Sequence, residues 1–123
     1  MATTQNVVQL KSHRLTTTDG TITTALTFTP KANAGYVIVA TIIASDGSTT
    51  ASYGRVGTFE NAAGTVTQVG TTTSLWTHED IAAPMDAVFD VSGSDVRLRV
   101  TGDPGRSIQW QCNLEVFAAG PGT

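Results

Sequence analysis

Ile108-Gln109-Trp110-Gln111-Cys112-Asn113-Leu114-Glu115-Val116 alternates apolar and polar residues without a break. A strand places successive side chains on opposite faces. This stretch therefore has a dry face of Ile108, Trp110, Cys112, Leu114 and Val116, and a wet face of the residues between. A helix would scatter both sets around its axis. Just upstream, Val96, Leu98 and Val100 alternate with Asp95, Arg97, Arg99 and Thr101. Gly102-Asp103-Pro104-Gly105 joins the two runs with residues suited to a tight turn, so the spacing predicts a hairpin. Ala87–Val91 and the turn Ser92-Gly93-Ser94-Asp95 extend it to a three-strand meander over residues 86–117.

The same reading works outward toward the N-terminus. Ile22, Leu26 and Phe28 share one parity, with threonines opposite, between Asp19-Gly20 and Pro30. Val7–Leu15 reads as an earlier, more weakly patterned strand, and Asp46-Gly47-Ser48 closes another that begins at Tyr36. Tyr53, Arg55, Gly57 and Phe59 alternate with Ser52, Gly54, Val56 and Thr58, and Gly54 and Gly57 mark bulges. Asn61-Ala62-Ala63-Gly64 turns into Thr65–Thr71, where Val66 and Val69 break strict parity. Trp76 falls in a less regular stretch, and His78–Ala83 makes one helical turn at most. Threonine clusters such as Thr16-Thr17-Thr18 and Thr71-Thr72-Thr73 suit a pleated, half-wet surface. About eight strands separated by turn signals predict an all-β antiparallel sandwich of jelly-roll-like kind.

The chain has 123 residues, enough for one domain that buries roughly two thirds of its unfolded surface. The sandwich is expected over residues 1–117, with an N-terminal arm at 1–6 and a flexible tail at 118–123. With 40% hydrophobic and 14% charged residues, global disorder is excluded. Seven Lys and Arg against ten Asp and Glu give a net charge of -3, which argues against a nucleic-acid partner. A single cysteine excludes an internal disulfide framework and any multi-cysteine zinc site. The longest apolar run, Tyr36–Ala44, is far below the ~20 residues of a membrane helix, and the start carries no signal-peptide pattern. Synthesis in the cytoplasm and no membrane partner are expected.

Tyr36–Ala44 differs from the other strands because both of its parities are apolar. Only one face of a sandwich strand looks inward, so the other needs cover from within the chain or from a neighbouring subunit. Tyr36, Val37, Val39 and Ile43 are therefore candidate contacts with a subunit or another partner, together with Trp76.

Reactive chemistry finds little support. His78-Glu79-Asp80 lies on consecutive positions, which alternate in direction and rarely converge on one ion, and His13 stands alone. No Gly-x-Ser-x-Gly elbow marks a nucleophile, and Cys112 sits on a dry face where a thiol is inert. Asp86 and Asp90 stand roughly 13 Å apart on one strand, too far for a glycosidase pair. Arg97 and Arg99 read as a wet face that pairs across strands with acidic residues, although an acidic partner could dock there. No enzyme, metal or cofactor is expected.

Phe89-Asp90-Val91, then Asp95–Gly102, then Ile108-x-Trp110-x-Cys112-x-Leu114-x-Val116 resembles small all-β modules of tailed bacteriophage virions. Tyr53–Thr65 resembles them as well, so the likeness covers roughly residues 50–117. The resemblance implies a non-enzymatic virion protein and brings no active-site residues with it. A short chain beginning at Met1 without a coiled-coil stalk points to a capsid decoration protein. Its expected partners are the major capsid protein and its own copies as a homotrimer. The alternative is a tail-fibre or spike tip, or a carbohydrate-binding module with Trp76 and Tyr53 as the aromatic platform.

Overall fold

The alternating stretch is the body of β8 (Ile108–Ala119) in the computed structural model, which describes residues 8–80 and 85–123. Its dry residues are all buried, and Gln109, Asn113 and Glu115 face outward. The other strands are β1 (Val8–Thr17), β2 (Ile22–Phe28), β3 (Ala34–Ser45), β4 (Thr50–Ala62), β5 (Thr65–Glu79), β6 (Asp86–Ser92) and β7 (Asp95–Thr101). They form two antiparallel sheets, one in the order β1-β8-β3-β4-β5 and one in the order β2-β7-β6. Among the described residues the fold is an all-β sandwich of eight strands. The expected N-terminal arm at 1–6 and residues 81–83 of the candidate turn His78–Ala83 lie outside the described residues, and His78 and Glu79 belong to the strand β5 rather than to a helical turn.

The core fills the space between the two inner faces. Phe28 of β2 meets Tyr36 of β3 edge-on at 5.2 Å between ring centroids, and Phe59 of β4 meets Phe89 of β6 in the same way at 5.6 Å. Trp110 stacks near Tyr53 at 6.3 Å, and its indole N–H donates to Thr17 Oγ1 at 2.9 Å. Gly57 makes this packing possible, because a Cβ there would stand 2.7 Å from the Phe59 ring and 3.1 Å from Phe89. Pairing of β4 with β5 shifts register at Gly54 and around Gly57, so both glycines mark bulges.

Three expectations are corrected. Residues 86–117 are not a meander: β6 and β7 form a hairpin, but β8 lies in the other sheet between β1 and β3. Both runs send their dry faces into the same core, which is why their patterns look alike. The link between β7 and β8 changes sheets, and Arg106 holds it by pairing with Asp103 at 3.2 Å and Asp46 at 3.4 Å. The order is also not the double Greek key of a jelly roll, since β3, β4 and β5 stay together as a meander in one sheet. Finally, Ala118 and Ala119 continue β8, and the Gly122 N–H donates to Asn33 O at 2.9 Å, so the C-terminus is bound to the β2–β3 connection.

Each open side of the sandwich is crossed by one cation of the larger sheet. Lys11 Nζ on β1 donates to Thr27 O on β2 at 2.9 Å. On the opposite side, Arg55 Nε on β4 donates to Ala87 O on β6 at 2.8 Å.

Candidate functional site

Strand parity and register place a defined set of side chains on the outer face of the five-stranded sheet. Across β1, β8, β3, β4 and β5, one row is Leu10, Glu115, Val39, Val56 and Thr73. The next is Ser12, Asn113, Thr41, Gly54 and Trp76, followed by Arg14, Gln111, Ile43, Ser52 and His78. On the other side of the first row, Phe117, Val37, Thr58 and Val69 continue the face. One end of the face is therefore apolar, and the other is rich in amide and hydroxyl groups.

Val37, Val39, Ile43 and Trp76, four of the five residues singled out as contacts, share this face. Val37 and Ile43 are exposed, and Val39 and Trp76 are half-buried. Trp76 belongs to the regular strand β5 rather than to an irregular stretch, and its ring lies on the bare backbone of Gly54, where a Cβ would overlap it. The indole N–H donates to Ser52 Oγ at 3.3 Å. Tyr36 does not stand with the other four. Its parity is that of Ile38, Ala40 and Ile42, its ring is buried against Phe28, and its hydroxyl accepts the Lys31 N–H at 2.8 Å.

Sequence reasoning missed three large exposed apolar residues of this face: Leu10 at 71%, Val69 at 50% and Phe117 at 46% exposure. Leu10 lies in the weakly patterned first strand, and Phe117 follows Val116 beyond the alternating run. Toward its polar end the face carries a depression of about 350 Å³ lined by Arg14, Ile43, Ser45, Gln109 and Gln111, and Leu10 itself lines another of about 400 Å³ with Ser12, Thr41, Asn113 and Glu115. Arg14 Nε donates to Gln111 Oε1 at 2.9 Å along its rim.

The other candidates are absorbed into packing. Tyr53 is fully buried and donates to Glu79 Oε2 at 3.0 Å. Burial first, and then that carboxylate, hold its phenol well above the ordinary value. It therefore cannot serve as an exposed platform beside Trp76. Asp86 pairs with Arg55 at 3.3 Å, and Asp90 takes two bonds of 2.8 Å from Arg97. Arg99 stands 4.0 Å from Asp90. The cross-strand pairing expected for Arg97 is thus present on β6 and β7. Burial pushes the Cys112 thiol up to about 12. His78 and Glu79 point to opposite sides of β5, and no three metal-ligating side chains gather among the described residues.

No protein-family model matches the chain, and neither does any curated protein. Among solved structures it is similar in fold to part of the tailspike protein of Acinetobacter baumannii phage AM24, with a TM-score of 0.55 at 8% identity. That overlay covers 94% of this chain and 27% of the tailspike. Tailspike gp49 of Acinetobacter baumannii bacteriophage Fri1, a capsular polysaccharide depolymerase, overlays at 0.42 with 14% identity, over 91% of this chain and 19% of that one. The tailspike of Acinetobacter phage vB_ApiP_P1 overlays at 0.43 with 18% identity, over 98% and 22% of the two chains. The chain thus spans about a quarter of the AM24 tailspike's length, and what that likeness establishes is the fold.

Proposed function

We propose that this chain is a structural module of a bacteriophage particle, of the kind built into tail spikes or tail fibres. It works by packing the outer face of its five-stranded sheet against a neighbour, not by catalysis. The observation that carries this reading is the overlay of nearly the whole chain on one part of the AM24 tailspike. Between head decoration and tail attachment, the two locations that the sequence reading allows, the overlay favours the tail. The outer face supports a packing role: its apolar end exposes Val37, Val69 and Phe117 in one cross-strand row. A sugar-binding platform has less support, because Tyr53 is buried and leaves Trp76 as a single ring. The nucleophile and carboxylate candidates are buried or paired within the fold, which fits a module without a reactive centre.

Immunogold electron microscopy tests the reading. An antibody raised against this chain is applied to particles released by the host that carries its coding sequence. Gold on the tail is the expected result. Gold spread over the head shell would restore the decoration reading at the expense of this one, and particles without gold would remove both.

A further inference from the structure

We infer that the outer face of the five-stranded sheet packs on the same face of a second copy of this chain. The two-fold axis runs across the strands along the row from Ser12 through Thr41 to Trp76. The inference rests on the proposed function only in taking this face as the contact surface. The register supplies the rest.

A two-fold axis in that position brings the row on one side of it over the row on the other side in the partner copy. Val39 then lies over Ile43, and Ile43 over Val39, so the half-buried and the exposed β3 side chains cover each other. Leu10, the most exposed large apolar residue described, comes over the depression lined by Arg14, Ile43 and Gln111. Arg14 comes beside Glu115, because Leu10 and Glu115 are register partners on neighbouring strands. Neither Arg14 nor Glu115 forms an ion pair within the chain among the described residues. The two ends of the face thus match each other, Glu115 against Arg14 in charge and Val39 against Ile43 in apolar contact. That self-complementarity is why the occupant is a second copy and not an unrelated partner. An axis along the strands would place Arg14 over His78 and Leu10 over Thr73, and would leave both charges without an opposite. Two aligned sheet faces stack at about 10 Å, a spacing that side chains of this size fill.

Sedimentation equilibrium of the full chain at micromolar concentration tests the inference, with a dimer expected. Arg14→Glu should weaken self-association on the order of tenfold or more, because it sets like charges together. Adding Glu115→Arg to the same chain should restore it. Both positions are exposed, so neither change disturbs the core, and circular dichroism of each variant should match the parent. Leu10→Asp should give a monomer, while Val88→Asp on the far face of the sandwich should leave the dimer unchanged. A parent that is monomeric or trimeric, or a charge-swapped double variant no stronger than Arg14→Glu alone, would overturn the two-fold contact. The tail reading is judged separately by gold labelling, so a monomer that still labels tails defeats this inference and leaves that one standing.

Discussion

Replacing Arg55 with methionine should cost about 3–5 kcal/mol of folding stability, close to what is lost when one partner of a buried charged network is removed. Arg55 is buried, and its guanidinium donates to three main-chain carbonyls: Ala87 O at 2.8 Å, Trp76 O at 2.8 Å and Gly54 O at 3.1 Å. It also donates to Ser74 Oγ at 2.9 Å and lies 5.0 Å from the centroid of the Tyr53 ring. Methionine keeps the unbranched stem and removes every donor. The carbonyls of β4, β5 and β6 then lose their partner, at about 1–3 kcal/mol for each one that water cannot reach. Asp86 is a lesser part of this network, because its side chain is 62% exposed at 3.3 Å from the guanidinium. Asp86→Asn should therefore cost only about 0–1 kcal/mol. Urea unfolding followed by tryptophan fluorescence gives both values, and a thermal scan should show Arg55→Met melting about 10–20 °C lower. Two results would refute the reasoning. One is an Arg55→Met protein within about 1 kcal/mol of the parent, which would mean that the carbonyls find water. The other is an Asp86→Asn loss as large as that of Arg55→Met, which would make the ion pair, not the carbonyl contacts, the stabilising element.

Gly57→Ala should destabilise by about 1–3 kcal/mol through overpacking, since the new methyl meets the Phe59 and Phe89 rings; a denaturant midpoint equal to the parent's would contradict the packing described. Cys112 should resist a thiol reagent at pH 8 in the folded protein and react fully in denaturant, because it is buried and its thiol is pushed up to about 12; stoichiometric labelling of the native protein would refute this. Asp90 is held below the ordinary carboxylate value, first by its hydrogen bond from Arg97. Its folded form binds fewer protons than its unfolded form, so its contribution is present above about pH 4 and is lost as the pH falls through the folded value. The stability gap between the parent and Asp90→Asn should therefore close in acid, and a gap unchanged from pH 7 to pH 2 would show that the carboxylate is not what the variant removes.

Strand existence was legible where one face is uniformly apolar. The inner positions of β8 and β7 carry only apolar residues, and both strands lie where alternation places them. Partner choice was not legible, because alternation sorts side chains between faces and says nothing about which strand lies alongside. Gly102-Asp103-Pro104-Gly105 suits a hairpin turn and a crossing between sheets equally well. The inner face of β4 was hard to recognise for a different reason. It includes Arg55 and Asn61, whose polar groups are satisfied inside the fold, so its hydropathy pattern is broken where its burial is not. The same break made Tyr53 look like a surface residue. In β5, bulges shift the parity twice, which hid both the length of the strand and the position of Trp76. The face that carries Val37, Val39 and Ile43 was legible as a second apolar parity, but deciding which parity faces the core required the register with β8 and β4.

The edges of the sandwich explain why association falls to a face. An unpaired strand edge invites another chain, and natural sheets block it with inward cations and bulges. Here Lys11 covers the β1–β2 side by donating to Thr27 O, and Arg55 covers part of the β5–β6 side by donating to Trp76 O and Ala87 O. Thr72 adds to that second closure: its hydroxyl accepts the Phe89 N–H at 3.3 Å and donates to Phe89 O at 3.4 Å. The β5 bulges bend what remains of that edge. Main-chain pairing with a neighbour is thus obstructed on both sides of the larger sheet, while its outer face keeps Leu10, Ile43, Val69 and Phe117 in water. Removing one obstruction should change how copies meet. Lys11→Thr frees the Thr27 carbonyl beside the β1 edge, and the variant should form larger, strand-paired species that bind thioflavin T, where the parent does not. A variant that keeps the parent's oligomeric state and stays dark would show that Lys11 is not what guards this edge.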